Sequence, residues 1–263
     1  IGLLQYIVPE LEEGINCQQG GVHSYDVWTH LIKSLEHGTN KDYPFHVKLA
    51  ALFHDIGKPR SRRAANGRGT KEWTFYGHEV IGANMVKDIM KRLKFSKDLT
   101  EKVVKLVRYH MFFSDPDAIT LSAVRRMVKN VGKDLIWDLM DVRTCDRIGT
   151  GRPKEKPYRL RKYHAMIEEV MRDPISVGML KINGDIMIGE MGLQPGRKMG
   201  WVLHALLEEV LDDPGLNTRE YLEKRTLEMY AMSDDEIQKL GDAGKDKKDQ
   251  EEFQAVMKLL RMH

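Results

Sequence analysis

A histidine and an aspartate lie side by side at the end of the apolar segment LAALFHDIGKPR, residues 49–60. His54 can bind a metal ion through an imidazole nitrogen, and Asp55 can do so through a carboxylate oxygen. Adjacent residues inside a helix point about 100° apart and rarely reach one target, whereas residues at the end of a helix can. Gly57 is expected to supply that exit from the helix. The pair therefore predicts two ligands of one metal site.

Two side chains cannot hold a metal ion alone, and four further candidates lie on or beside the apolar faces of other predicted helices. They are His30 in DVWTH, His78 in YGHEVIGA, His110 in LVRYH and Asp146 in VRTCDRIGTG. An unpaired polar group on an apolar face is costly, which favours a shared role for them. Asp26 lies four residues before His30, and we expect it to orient the His30 imidazole.

Each candidate ligand also has a simpler structural explanation. His54 and Asp55 could form a capped helix end with a buried hydrogen bond. His78 could merely begin a helix and His110 end one, where a positive charge suits the helix dipole. Asp146 could cap a helix or form a salt bridge. The ordered set favours metal binding over these explanations.

His23 is an alternative to His30 as the metal-binding histidine of this helix. His23 lies seven residues earlier on the same helical face, and His30 is preferred because it sits deeper in the apolar stripe. The remaining histidines are expected to be ordinary surface or packing residues: His37, His46, His164, His204 and His263.

Positively charged residues follow the His-Asp pair closely. Lys58 offers a point charge for a phosphate oxygen, and we predict that it is catalytic together with Asp55. Arg60, Arg62 and Arg63 extend a positive rim that would bind substrate or RNA phosphates. A solvated surface loop is the alternative explanation for these arginines.

The elements that must position these residues are helices, because helical periodicity dominates and two-residue alternation is nearly absent. Apolar stripes predict helices within 24–38, 43–57, 78–93, 96–113, 117–130, 132–148, 158–172, 199–212 and 217–231. Ser96 is expected to cap one of them. A short hairpin is expected around Asn66 and Gly67. The sequence therefore predicts an all-α fold with at most a small hairpin.

A stretch rich in glycine, proline and basic residues, GTGRPKEKP, predicts a domain boundary near residue 150. We expect a helical metal-binding domain at 1–150, a smaller helical tail domain at 151–232 and a charged C-terminal helix at 233–263.

Composition narrows the class of protein. The chain has 263 residues, a formal net charge of +3 and two cysteines. No segment approaches the roughly 18 uninterrupted apolar residues of a membrane span, and no signal peptide opens the chain, so a cytoplasmic protein without a membrane partner is expected. Cys17 and Cys145 provide neither a disulfide framework nor zinc-ligand spacing.

The order of these motifs resembles the HD superfamily of metal-dependent phosphohydrolases, in which two histidines lie between the HD pair and a last aspartate. The segments LLQYIVPELE, HSYDVWTHLIKSL, LAALFHDIGKP, FYGHEVIGA, LVRYHMF and INGDIMIGEMGLQPGRKMGWVLHALLEEVLDDPGLNTREYL are similar, over roughly residues 1–225, to the HD-containing carboxy-terminal part of bacterial CCA-adding enzymes. These are tRNA nucleotidyltransferases related to poly(A) polymerases. The resemblance implies an HD helical bundle followed by a smaller helical tail.

The resemblance also implies the distribution of ligands between two metals. One metal would be held by His30, His54, Asp55 and Asp146, and the second by Asp55, His78 and His110, with Asp55 shared. Two close metals can activate water and clamp an in-line displacement at phosphorus. Four imidazoles favour Mn, Fe, Co, Ni or Zn, and Mg stays a weaker candidate because it prefers oxygen ligands.

One departure from the family bears on function. Nucleotidyl transfer there needs a head domain with a Gly-Ser motif and paired aspartates on a strand, but the Asp-x-Asp spacing occurs here only at Asp115 and Asp117, in a predicted turn. This chain alone is therefore not expected to add nucleotides. One hypothesis is a hydrolase of phosphomonoesters, nucleotides or 2′,3′-cyclic phosphates. The other is a tRNA-binding body and tail without its catalytic head. The candidate partners are accordingly a nucleotide or phosphoester and tRNA.

Overall fold

The computed structural model describes residues 2–20, 24–64, 73–111 and 119–241. Helices dominate these residues, which confirms the all-α prediction. The helices are α1 (Leu4–Ile7), α2 (Pro9–Glu12), α3 (Val27–Asn40), α4 (Phe45–Phe53), α5 (Lys58–Ser61), α6 (His78–Arg92), α7 (Lys97–Tyr109), α8 (Leu121–Val131), α9 (Ile136–Gly149), α10 (Tyr158–Val170), α11 (Gly184–Gly189), α12 (Arg197–Asp212) and α13 (Arg219–Tyr230). Single 3-10 turns span Val177–Met179 and Pro214–Leu216, and residues 234–241 are helical.

The expected hairpin is present as two very short strands. β1 (Arg63–Ala64) pairs antiparallel with β2 (Trp73–Thr74), with Arg63 opposite Thr74 and Ala64 opposite Trp73. The predicted turn residues Asn66 and Gly67 lie outside the described residues.

The chain divides into two compact units. The first unit comprises the described residues of 1–114 and 131–162, and the second comprises those of 115–130 and 163–263. The limits of these units differ from those of the predicted domains at 1–150, 151–232 and 233–263. The assignment of metal binding to the first domain and of a tail to the second stays a prediction.

The core of the first unit is formed by five helices. α3 packs against α4 and α9, α4 packs against α7 and α9, and α6 packs against α7. Their inward faces carry fully buried apolar side chains at helical spacing, including Val27, Leu31, Val47, Ala50, Val86, Leu106, Leu139 and Val142. Burial of these faces is the main favourable contribution to folding. These same five helices, or their ends, carry the predicted ligands.

Side-chain caps fix the starts of α3 and α7. Ser96 accepts a hydrogen bond from the Leu99 amide at 3.3 Å, as predicted for the start of α7. Asp26 caps α3, because its carboxylate accepts from the amides of Thr29 at 2.9 Å and Asn16 at 2.7 Å. The prediction that Asp26 orients His30 is therefore wrong. Its two carboxylate oxygens instead accept from one amide in the first turn of α3 and from one amide of the segment before that helix.

Gly57 has a different role from the expected one. Its φ of −79° and ψ of −10° lie in the right-handed region, so it is not a left-handed exit from α4. Instead, a Cβ at Gly57 would overlap the carbonyl oxygen of His78 and lie 2.6 Å from the Gly82 amide nitrogen. Glycine is needed here because the backbone of α6 approaches so closely.

The second unit contains its own apolar core, with Val202, Leu206 and Val210 of α12 fully buried. Ion pairs join α8 to α12, where Lys129 contacts Glu208 at 2.6 Å and Arg126 contacts the same carboxylate at 3.0 Å. Among the residues that the structure describes, every helix is too short or too polar to cross a membrane.

Candidate metal centre

The structure brings the six predicted ligands together inside the first unit, and all six are buried. This six-ligand cluster consists of His30, His54, Asp55, His78, His110 and Asp146. His30 comes from α3, His54 and Asp55 follow α4, His78 begins α6, His110 follows α7, and Asp146 lies in α9. The prediction that the HD pair lies at a helix end agrees with the position of His54 as the residue after α4.

Asp55 lies between two groups of histidines. Its Oδ2 is 3.2 Å from His30 Nε2 and 3.4 Å from His54 Nε2. Its Oδ1 is 3.1 Å from His78 Nε2 and 3.4 Å from His110 Nε2. The two oxygens of one carboxylate therefore face different groups, which is the arrangement that a bridging ligand requires.

The first ligand group is completed by Asp146, whose Oδ1 is 3.3 Å from His30 Nε2 and 3.6 Å from His54 Nε2. Within each group the ligand atoms lie within 4.8 Å of one another. The first group contains His30, His54, Asp55 and Asp146, and the second contains Asp55, His78 and His110. Each group is compact enough to surround one ion.

Backbone carbonyls hold three of the rings in place. Nδ1 of His54 donates to the Ala51 carbonyl at 2.9 Å. Nδ1 of His78 donates to the Phe75 carbonyl, and Nδ1 of His110 donates to the Val107 carbonyl, each at 2.7 Å. Because a carbonyl oxygen only accepts, these Nδ1 atoms carry a proton, and each Nε2 faces the cluster, where it offers a lone pair to a metal when the ring is neutral.

This orientation tests whether the residues fit a metal. The Nε2 atoms of His78 and His110 are only 3.3 Å apart, and two neutral rings with protonated Nδ1 atoms cannot hydrogen-bond through them. A cation beside these lone pairs would turn their repulsion into coordination. Imidazole nitrogens with carboxylate oxygens are a donor set typical of transition metals.

Both carboxylates of the cluster are ionised. Burial alone would raise the pKa of Asp55, but the Lys58 ammonium and the His54 ring hold that pKa well below its usual range. Burial likewise opposes ionisation of Asp146, and the Arg143 guanidinium outweighs it and lowers the pKa of the carboxyl. The cluster therefore presents two negative charges in a buried place, which favours the binding of a cation.

The histidines of the two groups differ in their pKa. Burial would lower the pKa of His54, but the carboxylates of Asp55 and Asp146 raise it to about 10. Burial lowers the pKa of His110 to about 4. Without a metal, the proton held by His54 partly balances the carboxylates, and a metal that binds there replaces this proton.

Two residues next to the cluster were not predicted from the sequence. Arg143 Nη1 lies 2.5 Å from Asp146 Oδ2, one turn earlier on α9, and this i, i+3 spacing was the signal that could have found it. Gln19 Oε1 accepts from Lys58 Nζ at 2.6 Å. A single glutamine between helices gives no comparable signal.

The four predicted phosphate-binding cations have different surroundings. Lys58 is buried, with Nζ 2.6 Å from Asp55 Oδ2. Arg60 forms a two-pronged ion pair with Glu13 rather than with a ligand of the cluster. The Arg62 guanidinium lies 3.6 Å from the centre of the Trp73 ring. Arg63 is exposed. Phosphate binding by Arg62 and Arg63 stays a prediction.

The histidines that were expected to be surface or packing residues lie outside the six-ligand cluster where the structure describes them. His46 pairs with Asp138 at 2.7 Å, and His37 lies 3.9 Å from Glu155. His23 and His263 lie outside the described residues.

Gly57→Ala tests the close approach that brings His78 to the cluster. We expect the variant to shift the start of α6 and to lose about 1–3 kcal/mol of unfolding free energy, the usual cost of overpacking. Denaturant unfolding and the metal content of the purified variant measure this. Gly200→Ala in α12 is the matched control, because a Cβ there meets no atom within 4 Å. A Gly57→Ala variant as stable as the wild type would contradict the explanation.

Comparison with known proteins agrees with the family resemblance that the sequence motifs indicate. Residues 21–148 match the HD domain family. The CC-adding tRNA nucleotidyltransferase of Thermus thermophilus is 36% identical over 211 residues, which cover 79% of this chain and 46% of that protein. The A-adding tRNA nucleotidyltransferase of Deinococcus radiodurans is 31% identical over 214 residues, covering 79% of this chain and 48% of that protein.

A third relative is named for uridylyl transfer and removal rather than for nucleotide addition to tRNA. The bifunctional uridylyltransferase/uridylyl-removing enzyme of Ruegeria pomeroyi is 28% identical over 211 residues, covering 70% of this chain and 21% of that protein. The chain spans about half the length of the first two relatives. These matches confirm the resemblance that the ordered motifs indicate.

Proposed function

We propose that this chain, which carries an HD domain and is homologous to the HD-containing portion of the CCA-adding tRNA nucleotidyltransferases, is a phosphohydrolase that works with two divalent metal ions. The observation that carries the proposal is the position of Asp55, with one carboxylate oxygen toward each ligand group. A site built only to stabilise the fold would not need a buried carboxylate between two sets of inward-facing imidazoles.

The side chains have distinct tasks in the proposed reaction. When bound, two metals supply an activated water and charge stabilisation at phosphorus. His54, His78 and His110 present lone pairs in fixed directions because backbone carbonyls hold their Nδ1 atoms. Asp55 would hold the two ligand groups at a fixed distance from each other, because each of its oxygens faces one group. Lys58 neutralises part of the Asp55 charge, and its predicted contact with a substrate phosphate belongs to the same proposal.

The proposed substrates are a phosphomonoester, a nucleotide or a 2′,3′-cyclic phosphate. The name of one relative describes removal of a uridylyl group, which supports a reaction at phosphorus without favouring any one of these substrates. The proposed metals are Mn, Fe, Co, Ni or Zn, given four imidazoles in the cluster, and Mg is the weaker candidate. A cytoplasmic location is part of the same proposal.

A substrate screen tests the proposal. The purified chain is freed of metal, loaded in turn with each candidate ion, and tested on phosphomonoesters, nucleotides and 2′,3′-cyclic nucleotides. We expect turnover of at least one class, and we expect it to depend on the metal that is added. A chain that binds two equivalents of metal but turns over none of these classes would contradict the hydrolase proposal.

The second candidate function is binding of tRNA by a body and tail region. It is supported by similarity over 79% of the chain to two proteins named tRNA nucleotidyltransferases. Addition of nucleotides by this chain alone stays outside the proposal, since the paired-aspartate motif occurs only at Asp115 and Asp117, which lie outside the described residues. Hydrolysis and tRNA binding are compatible with each other.

Arg62, which lies just before β1, and Arg63, which lies in β1, give a test of RNA binding. We expect Arg62→Ala with Arg63→Ala to weaken tRNA binding and to lower the slope of log affinity against log salt by up to about two, because each lost phosphate contact removes roughly one. Hydrolysis of a small chromogenic phosphate should stay nearly unchanged. Filter binding over a range of salt concentrations measures the slope.

The control removes the same charge elsewhere on the first unit. Lys87 and Lys91 are exposed on α6, and their double replacement by alanine should lower the salt slope much less. If the arginine pair and the lysine pair behave alike, the arginines are only a solvated surface. If the arginine variant also loses turnover of the small phosphate, the division between RNA binding and chemistry is wrong.

A further inference from the structure

We infer that Gln19 is a positioning residue of the metal centre and that it acts on Asp55 through Lys58. The inference rests on the proposed two-metal site, but not on which phosphoester is hydrolysed. Gln19 lies in the segment between α2 and α3, outside every motif that carries the resemblance. Its side chain is nevertheless buried, with only 4% of its surface exposed.

Gln19, Lys58 and Asp55 form one continuous polar chain. Lys58 is 7% exposed, and its Nζ lies 2.6 Å from Gln19 Oε1 and 2.6 Å from Asp55 Oδ2. A lysine has a long flexible stem and three rotatable donors, so a single carboxylate contact would leave its direction poorly fixed. The second acceptor, on Gln19, holds the ammonium at one side of Asp55.

The position of Lys58 matters because of the oxygen that it contacts. Asp55 Oδ2 faces the first ligand group, and its distance to His30 Nε2 is 3.2 Å. Rotation of the carboxylate would move Oδ2 away from the first group and Oδ1 away from the second. Partners that orient a ligating carboxylate are typically worth about 10–100-fold in metal affinity or activity, and Gln19 with Lys58 fits that role.

Gln19 also makes a second contact, which suggests a competing explanation. Its Nε2 donates to the Tyr25 carbonyl at 3.1 Å, just before the Asp26 cap of α3. Gln19 could therefore serve only to hold the segment before α3 against the bundle. The two roles differ in whether the effect of Gln19 requires Lys58.

A double-mutant cycle separates the two roles. Gln19→Met, Lys58→Met and the double variant keep unbranched side chains of similar length and remove the polar contacts. Affinity for Mn²⁺ and Co²⁺ is measured by competition with a chelator, so the result does not depend on turnover of any substrate. We expect Gln19→Met to weaken metal affinity at least about tenfold in the wild-type background. In the Lys58→Met background we expect it to change affinity less than about twofold.

The matched control is Gln18→Met, the same substitution at the exposed neighbouring residue, which should leave metal affinity unchanged. Equal losses in the presence and absence of Lys58, or a Gln19→Met variant that no longer shows cooperative thermal unfolding, would assign Gln19 a merely structural role and overturn the inference. Unchanged affinity in Gln19→Met would overturn it as well. A wild-type chain that binds no metal would overturn the proposed function, and this inference with it.

Discussion

Replacing Asp55 with alanine is expected to lower hydrolysis of any phosphoester substrate by about a thousandfold or more. The carboxylate is the shared member of both ligand groups, with its two oxygens 3.2 Å and 3.1 Å from the nearest imidazole nitrogens of the first and second group. Its loss would remove a ligand from both proposed metals at once, and a thousandfold corresponds to about 4 kcal/mol of transition-state stabilisation. Steady-state kinetics on the best substrate of the screen measures the loss.

Asp138→Ala is the matched control for this variant. Asp138 is an aspartate of the same unit that also pairs with a histidine, at 2.7 Å from His46 Nε2, but it lies outside the six-ligand cluster. It should keep turnover within a few-fold of the wild type. Full activity in Asp55→Ala would mean that the reaction occurs at another site or comes from a contaminating phosphatase.

Removal of metal is expected to lower the thermal stability of the first unit substantially. The six ligands are buried, and without a cation the two ionised carboxylates and the facing imidazole lone pairs lack their proposed partner. A ligand that binds only the folded state at a thousand times its dissociation constant stabilises it by about 4 kcal/mol. For a domain of this size that corresponds to roughly 8–16 °C in melting temperature.

Calorimetry with and without a chelator measures this shift. Asp55→Ala provides the internal comparison, since a chelator should change its melting temperature far less than that of the wild type. A wild-type chain that melts at the same temperature in both conditions would show that the cluster contributes to folding without metal.

The clustering of these six residues could be predicted from the sequence because each combines a polar side chain with an apolar helical face. A histidine or aspartate in such a place requires a partner, and the ordered motifs limited the partners to one another. His54 and Asp55 also lie at the end of α4, where two adjacent residues can reach a common centre. The positions of the longer helices, although not their exact ends, followed from the same periodicity.

Part of what the sequence did not predict depends on contacts between segments that are distant along the chain. Gly57 resembles a helix stop in the sequence, but its φ is ordinary and the approach of α6 explains it. Asp26 was assigned to His30 by helical spacing, whereas one of its oxygens accepts from the Thr29 amide at the start of α3 and the other from the Asn16 amide. Gln19 reaches Lys58 across 39 residues, and no local pattern encodes that pairing.

The central claim, that Asp55 bridges two metals held by six side chains, is tested most directly by counting metal ions per chain. Elemental analysis after loading with Mn²⁺ or Ni²⁺ and removal of free ions should give close to two equivalents in the wild type. His110→Ala, which affects only the second ligand group, should retain close to one, and Asp55→Ala should retain fewer than one. A wild-type chain that holds no metal after loading, or the same content in all three proteins, would contradict the claim.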